Sequence, residues 1–140
     1  MNINMKRTEL RELTFKLIYS EMIQKELEEE QIVAYLEDNA IQVEEEKKYV
    51  RDICKGIHEK EENIIEAITK NLKKDWTIDR IDKIDLAILK LAVFEMVYGK
   101  TPYKVAINEA VELAKKYGDD NAKSFVNGIL ASIVKEENLA

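Results

Sequence analysis

Hydrophobic positions recur at three- and four-residue spacing along most of this chain, and one stretch departs from that rule by being apolar on every side. From Ile84 to Tyr98, IDLAILKLAVFEMVY, only Asp85, Lys90 and Glu95 are charged among fifteen positions. A helix without a solvent face is either the centre of a globular bundle or a membrane span. A span needs about 20 clean apolar residues, and this run is shorter and interrupted by charge. It predicts a buried central helix, with the other segments as amphipathic strips packed around it.

Asn4 to Met22 predicts a helix in which Leu10, Leu13 and Leu17 form one stripe. A line on another face begins with Arg7 and Arg11 and ends with Ile18 and Met22, with Phe15 beside it. Two readings fit that line. One is a helix packed on both sides with solvated arginines. The other is a phosphate contact at the helix start, followed by a partner-facing patch that includes Tyr19.

The acidic run Glu26 to Glu30 ends this helix and caps the next, since carboxylates favour a helix N-terminus. Ile32, Val33 and Leu36 mark a short helix closing near Asp38 and Asn39. Glu44, Glu45 and Glu46 open a longer one whose apolar line is Val50, Ile53 and Cys54, Ile57, Ile64, Ile68 and Leu72. Gly56 and the charged stretch His58 to Asn63 are where it kinks or splits in two.

Thr77, Asp79 and Asp82 all offer N-caps to the central helix, and Gly99 as C-cap with Pro102 beyond ends it. Val105 to Tyr117 predicts a helix with Ile107, Ala110, Val111 and Ala114 inward and a Glu112–Lys116 ion pair. Gly118 ends it, and Asp119, Asp120 or Asn121 caps the last helix, which turns Val126, Ile129, Leu130 and Ile133 inward. Gly128 within that helix costs up to ~1 kcal/mol relative to alanine, which predicts close packing there. Phe125 falls at the edge of the stripe, where core and surface roles are both open.

Composition adds location and excludes chemistry. With 140 residues, four glycines and one proline, a single helical domain over residues 1–140 is expected. The lone Cys54 rules out an internal disulfide, and without a secretory signal or membrane span the expected home is the cytoplasm. The net charge of -6 is uneven: residues 1–25 carry five basic and three acidic side chains, residues 26–50 two and nine. One histidine leaves no Ser/His/Asp or Cys/His arrangement. His58 with Glu61 and Glu62 is a solvated helix face before it is a metal site. Cys54, on an apolar face without an activating base, reads as core. Asp85 and Glu95 stand in apolar surroundings but ten residues apart, too far along the axis to serve one reacting atom, and Glu95 is expected to hold amides at a neighbouring helix start. No catalytic residue, metal, cofactor or small-molecule substrate is predicted.

The run PYKVAINEAVELAKKYGDDNAKSFVNGIL, Pro102 to Leu130, resembles the signature of the NusB family of transcription antitermination factors. Trp76 to Met96, WTIDRIDKIDLAILKLAVFEM, is similar to the family's central segment, and RTELRELTFKLIYS, Arg7 to Ser20, to its arginine-bearing first helix. The resemblance implies an all-α fold of two packed three-helix groups, about seven helices. It implies binding to the single-stranded boxA element of nascent ribosomal RNA leader transcripts, as a heterodimer with NusE, a small-ribosomal-subunit protein. The pair would join the other Nus factors on RNA polymerase, with no membrane involved.

Carried over residue by residue, the RNA contacts are Lys6, Arg7 and Arg11, then Asp79 and Asp85, then Asn121 and Phe125. The NusE-facing surface is Tyr19 with Phe15, Ile18 and Met22. Thr8 and Glu9 stand where many members are more basic, and about three cationic contacts on a single strand give a salt slope of roughly -2. That predicts weak RNA binding alone and tighter binding with the basic partner. A ribosomal RNA cytosine methyltransferase, in which a similar domain is fused to a catalytic one, is not expected, since no cofactor-binding βαβ unit or catalytic cysteine motif follows. The rival reading is an RNA-independent helical interaction module, or a homodimer through the first-helix stripe.

Overall fold

The computed structural model describes residues 6–24, 29–38 and 43–139. Among them are seven α-helices and no strand: α1 (Arg7–Gln24), α2 (Glu29–Asp38), α3 (Glu44–Glu59), α4 (Glu61–Lys70), α5 (Lys83–Val93), α6 (Tyr103–Tyr117) and α7 (Ala122–Glu136). A short 3-10 turn, Ile78–Arg80, precedes α5, and a π-helical turn, Phe94–Tyr98, continues it. The start expected at Asn4, the run Lys25 to Glu28 and the close at Asn39 lie outside the described residues. The chain divides into two compact units at Gly56/Ile57, within α3.

In the first unit Leu10 and Leu17 of α1, Leu36 of α2, and Val50 and Cys54 of α3 form one buried cluster, with Leu13, Ile32, Tyr35 and Tyr49 packed against it. The Tyr35 hydroxyl donates to the Leu13 carbonyl at 3.0 Å, which ties α2 to α1. Thr14 is fully buried because its hydroxyl donates to Leu10 O at 2.7 Å, satisfying the group within its own helix. Burial pushes the Cys54 thiol up to about 12, with a further push from the Glu21 charge. Such a thiol stays protonated at neutral pH, as the core reading requires.

In the second unit α5 is central, packing against α4, α6 and α7. Every residue from Asp85 to Val93 is buried. Of the three candidate caps it is Asp82 that starts α5, its carboxylate accepting from Ile84 N–H at 2.8 Å; Thr77 precedes the 3-10 turn instead. The long predicted helix splits at Lys60, inside the charged stretch, while Gly56 stays helical. Lys90, 7% exposed, reaches back from α5 to Glu61 of α4 at 2.7 Å, so its charge is buried with a partner. Glu95 accepts from the Thr101 hydroxyl at 2.9 Å, just before the start of α6.

Two other details depart from the sequence pattern. The buried line of α6 is Ala106, Ala110, Leu113 and Ala114, with Ile107 and Val111 on its flank. Lys115 pairs with Glu112 of α6 at 3.2 Å, a spacing one residue shorter than the one predicted. Gly99 is the C-cap, as the sequence predicts, and its φ of -91 is an ordinary extended conformation. Its amide donates to Phe94 O at 2.8 Å, closing the wide turn, and a Cβ there would come within 2.9 Å of Glu95 O. Space, not dihedral freedom, calls for glycine. At the far end Asn138, φ 54, closes α7 with Leu139 N donating back to Val134 O at 3.0 Å, a Schellman-type end.

Candidate functional site

The candidate residues fall into two groups, one in each unit. In the first, Lys6 and Arg7 are exposed at the start of α1, and Lys6 O accepts from Leu10 N in its first turn. The Arg7 guanidinium lies 4.1 Å from the centre of the Tyr49 ring, which holds its plane over α3. Arg11, one turn on, is only 7% exposed. Further along α1, Phe15 and Ile18 are buried, while Tyr19 and Met22 are half-buried and Ile23 is 48% exposed. The arginine line is therefore packed through its middle and open at both ends. Only its end residues present side chains at the surface.

In the second unit Asp79 is exposed in the 3-10 turn and Asp85 is buried in the first turn of α5. Gly118, between α6 and α7, lets these helices close on Asp85: a Cβ added there would lie 3.3 Å from Asp85 Oδ1. Burial pushes Asp85 up to about 6, and the neighbouring charges of Asp82 and Asp119 push the same way. Asp119 Oδ1 accepts from Asn121 N at 2.9 Å, so this carboxylate, and not the Asn121 side chain, satisfies an amide at the start of α7. Asn121 is exposed, and its carbonyl accepts from Phe125 N one turn on. Phe125 is half-buried, with its ring centre 6.3 Å from that of Trp76 at 37°.

The raised pKa of Asp85 makes the stability of the fold depend on pH. Its folded value lies above that of an unfolded aspartate, so its contribution to stability is full below about pH 4. That contribution is lost as pH rises through about 6. Asp85→Asn removes the ionisation and keeps the shape. The variant is expected to melt above the parent at neutral pH and level with it below about pH 4, by circular dichroism. A variant that melts lower at neutral pH would show that the ionised carboxylate holds the fold.

The sequence pattern did not single out Trp76 as the neighbour of Phe125, nor the space beside Gly128. A Cβ at Gly128 would meet nothing within 4 Å, so the close packing expected there is absent. A tryptophan in a linker after two lysines was the available signal.

Seven helices with exposed cations and aromatic groups and, among the described residues, no strand and no cluster able to hold a metal ion define an all-α protein. No described helix is long and apolar enough to cross a membrane. The NusB family model matches residues 8–135. A transcription antitermination protein NusB from Acetivibrio thermocellus is 46% identical over 94% of this chain and 90% of its own length. One from Pediococcus pentosaceus is 35% identical over 95% of this chain and all of its own. Among solved structures, T. maritima NusB aligns with a TM-score of 0.85 and 33% identity over 96% of this chain and 94% of that one. A crystal structure of antitermination factors NusB and NusE in complex with dsRNA aligns with a TM-score of 0.84 and 27% identity, over 93% and 96%. The chain belongs to the NusB family, whose members are transcription antitermination factors and not enzymes.

Proposed function

We propose that this chain is a cytoplasmic transcription antitermination factor that binds the single-stranded boxA element of nascent ribosomal RNA as a heterodimer with NusE. The pair joins the other Nus factors on RNA polymerase, and residues 1–140 act as one RNA- and protein-binding domain. What carries the reading is the likeness over 93% of the chain to a NusB crystallised with NusE and dsRNA.

The exposed Lys6 and Arg7 take phosphates, and the buried Arg11 supports the arm beneath them. Asp79, Asp85 and Asn121 read base edges, since carboxylate and amide oxygens accept from exocyclic amines and repel phosphate. Phe125 offers a ring to a splayed base. Tyr19 and Met22 meet NusE, with the buried Phe15 and Ile18 supporting them.

The test is salt-dependent binding of boxA and scrambled RNA, with and without NusE. Weak binding is expected alone, and tighter boxA-selective binding with the partner. Arg7→Ala should flatten the single-strand salt slope by about 0.7, and Tyr19→Asp should abolish the NusE complex while the melting temperature holds. A chain that neither prefers boxA nor pairs with NusE, and sediments as a dimer, would instead be an interaction module.

A further inference from the structure

At the C-terminal end of α5 the helix leaves regular geometry, and the second unit gathers aromatic and cationic side chains there. The Gly99 amide donates to Phe94 O at 2.8 Å, five residues back, which is the hydrogen bond of a π-helical turn. Such turns are rare and frequently mark functional sites. This one carries Phe94 and Tyr98, whose ring centres lie 6.1 Å apart at 32°. Tyr98 is 38% exposed, and Val105, in the first turn of α6, is 41% exposed.

Two consecutive residues at the break between α3 and α4 reach this face of α5. Glu61 takes Lys90 at 2.7 Å, and Lys60 sets its ammonium 5.3 Å from the centre of the Tyr98 ring. In a chain of net charge -6, the thirteen residues from Met96 to Asn108 contain two lysines and no carboxylate. Those lysines, Lys100 and Lys104, are exposed and pair with no carboxylate among the described residues. Glu95, the acid just before them, is 4% exposed and accepts from the Thr101 hydroxyl, so its charge is held inward. The outer surface here is therefore apolar and positive.

We propose that this end of the second unit is a docking surface for an acidic segment of a protein partner, with apolar side chains on Tyr98 and Val105 and carboxylates on Lys100 and Lys104. Exposed apolar groups flanked by cations are the electrostatic complement of such a segment. A strand of RNA would need a free ring face for stacking. The Lys60 ammonium covers one face of Tyr98, and Phe94 packs beside the ring. Asp79, Asp85 and Asn121, assigned above to RNA, belong to the opposite end of α5. Asp85 precedes Tyr98 by thirteen residues, roughly 20 Å of helix. The surface is thus additional to those contacts.

The probe is a fluorescein-labelled peptide of glutamates flanking one leucine and one phenylalanine, titrated onto the full chain. Binding should weaken as salt rises, and a peptide with lysines in place of the glutamates should not bind. Lys100→Glu combined with Lys104→Glu should weaken the acidic peptide by about 10-fold or more, since two attractions become repulsions. Lys104→Glu puts a carboxylate in the first turn of α6, where it is favoured, so the melting temperature should hold. Tyr98→Ala should weaken the peptide by about 5-fold or more, the usual loss for an aromatic anchor. BoxA RNA and NusE should bind both variants as they bind the parent. Amide shifts in the NMR spectrum should centre on Tyr98, Lys100 and Lys104 as the peptide is added. A parent that binds the acidic and basic peptides alike, or neither, overturns the docking surface, as do shifts centred elsewhere or full affinity in the charge reversal. Loss of boxA affinity in that reversal, with no acidic peptide bound by the parent, overturns it in favour of an RNA path.

Discussion

Leu89→Ala is expected to destabilise the chain by ~2–5 kcal/mol, the range for leucine truncation in a packed core. Leu89 has no exposed surface, and its helix packs against α4, α6 and α7 at once. A cavity there is walled by three helices whose positions are set by their other contacts, so collapse is resisted and the upper half of the range is favoured. The melting temperature should fall by roughly 10–20 °C. Urea unfolding checks the result: the midpoint should drop while the slope stays, since the change removes packing and leaves the surface exposed on unfolding nearly the same. Leu86→Ala on the same helix should cost less, because Leu86 is 9% exposed and water can reach part of the space. A loss under about 1 kcal/mol at Leu89 would mean that the helices close over the cavity.

The centre of the fold was legible because burial left its mark on every position. No amphipathic compromise is needed in a helix that meets neighbours all round, and Asp85 to Val93 are indeed buried without a break. The split at Lys60 was legible for the opposite reason: a dense charged stretch has no face to bury. The inward line of α7 came through because Val126, Ile129, Leu130 and Ile133 are large and regularly spaced.

Of the line predicted for α6, Ala110 and Ala114 are buried, while Ala106 and Leu113 take the places expected for Ile107 and Val111. The small Ala106 and Ala110 are buried on a helix that packs against α5 and α7, and the larger Ile107 and Val111 lie half-buried on the flank. Periodicity weighs side chains by hydrophobicity, and close approach selects them by smallness. The candidate site was less legible than the fold. The spacing of Arg7, Arg11, Phe15 and Ile18 places them along one line, but depth varies along it, from exposed Arg7 to buried Phe15. Trp76 and Phe125 lie far apart in sequence and meet through tertiary packing alone. The family resemblance supplied Phe125 and passed over its neighbour.

Gly118→Ala is expected to destabilise the chain by about 1–3 kcal/mol, the usual cost of overpacking. Its φ of -88 suits any residue, so the requirement is purely one of space. A methyl there would collide with the Ala122 Cβ and lie 2.9 Å from the Ala114 carbonyl oxygen. Ala122 is 1% exposed and opens α7, so relief requires moving the turn between α6 and α7 away from α5. Asn121 and Phe125 move with that turn, while Asp85 stays on α5. The variant should therefore lose RNA affinity in the NusE complex beyond what its remaining folded fraction explains. Ala122→Gly removes the collision at its source, and the double variant should recover part of the loss in a thermodynamic cycle. Gly128→Ala makes the same chemical change in α7 with the opposite sign, a gain of up to ~1 kcal/mol from helix propensity, since nothing stands in the way. Melting curves of the two single variants should move in opposite directions. If Gly118→Ala melts with the parent, the helices tolerate displacement at this turn, and Gly118 is not what holds Asp85 and the start of α7 together.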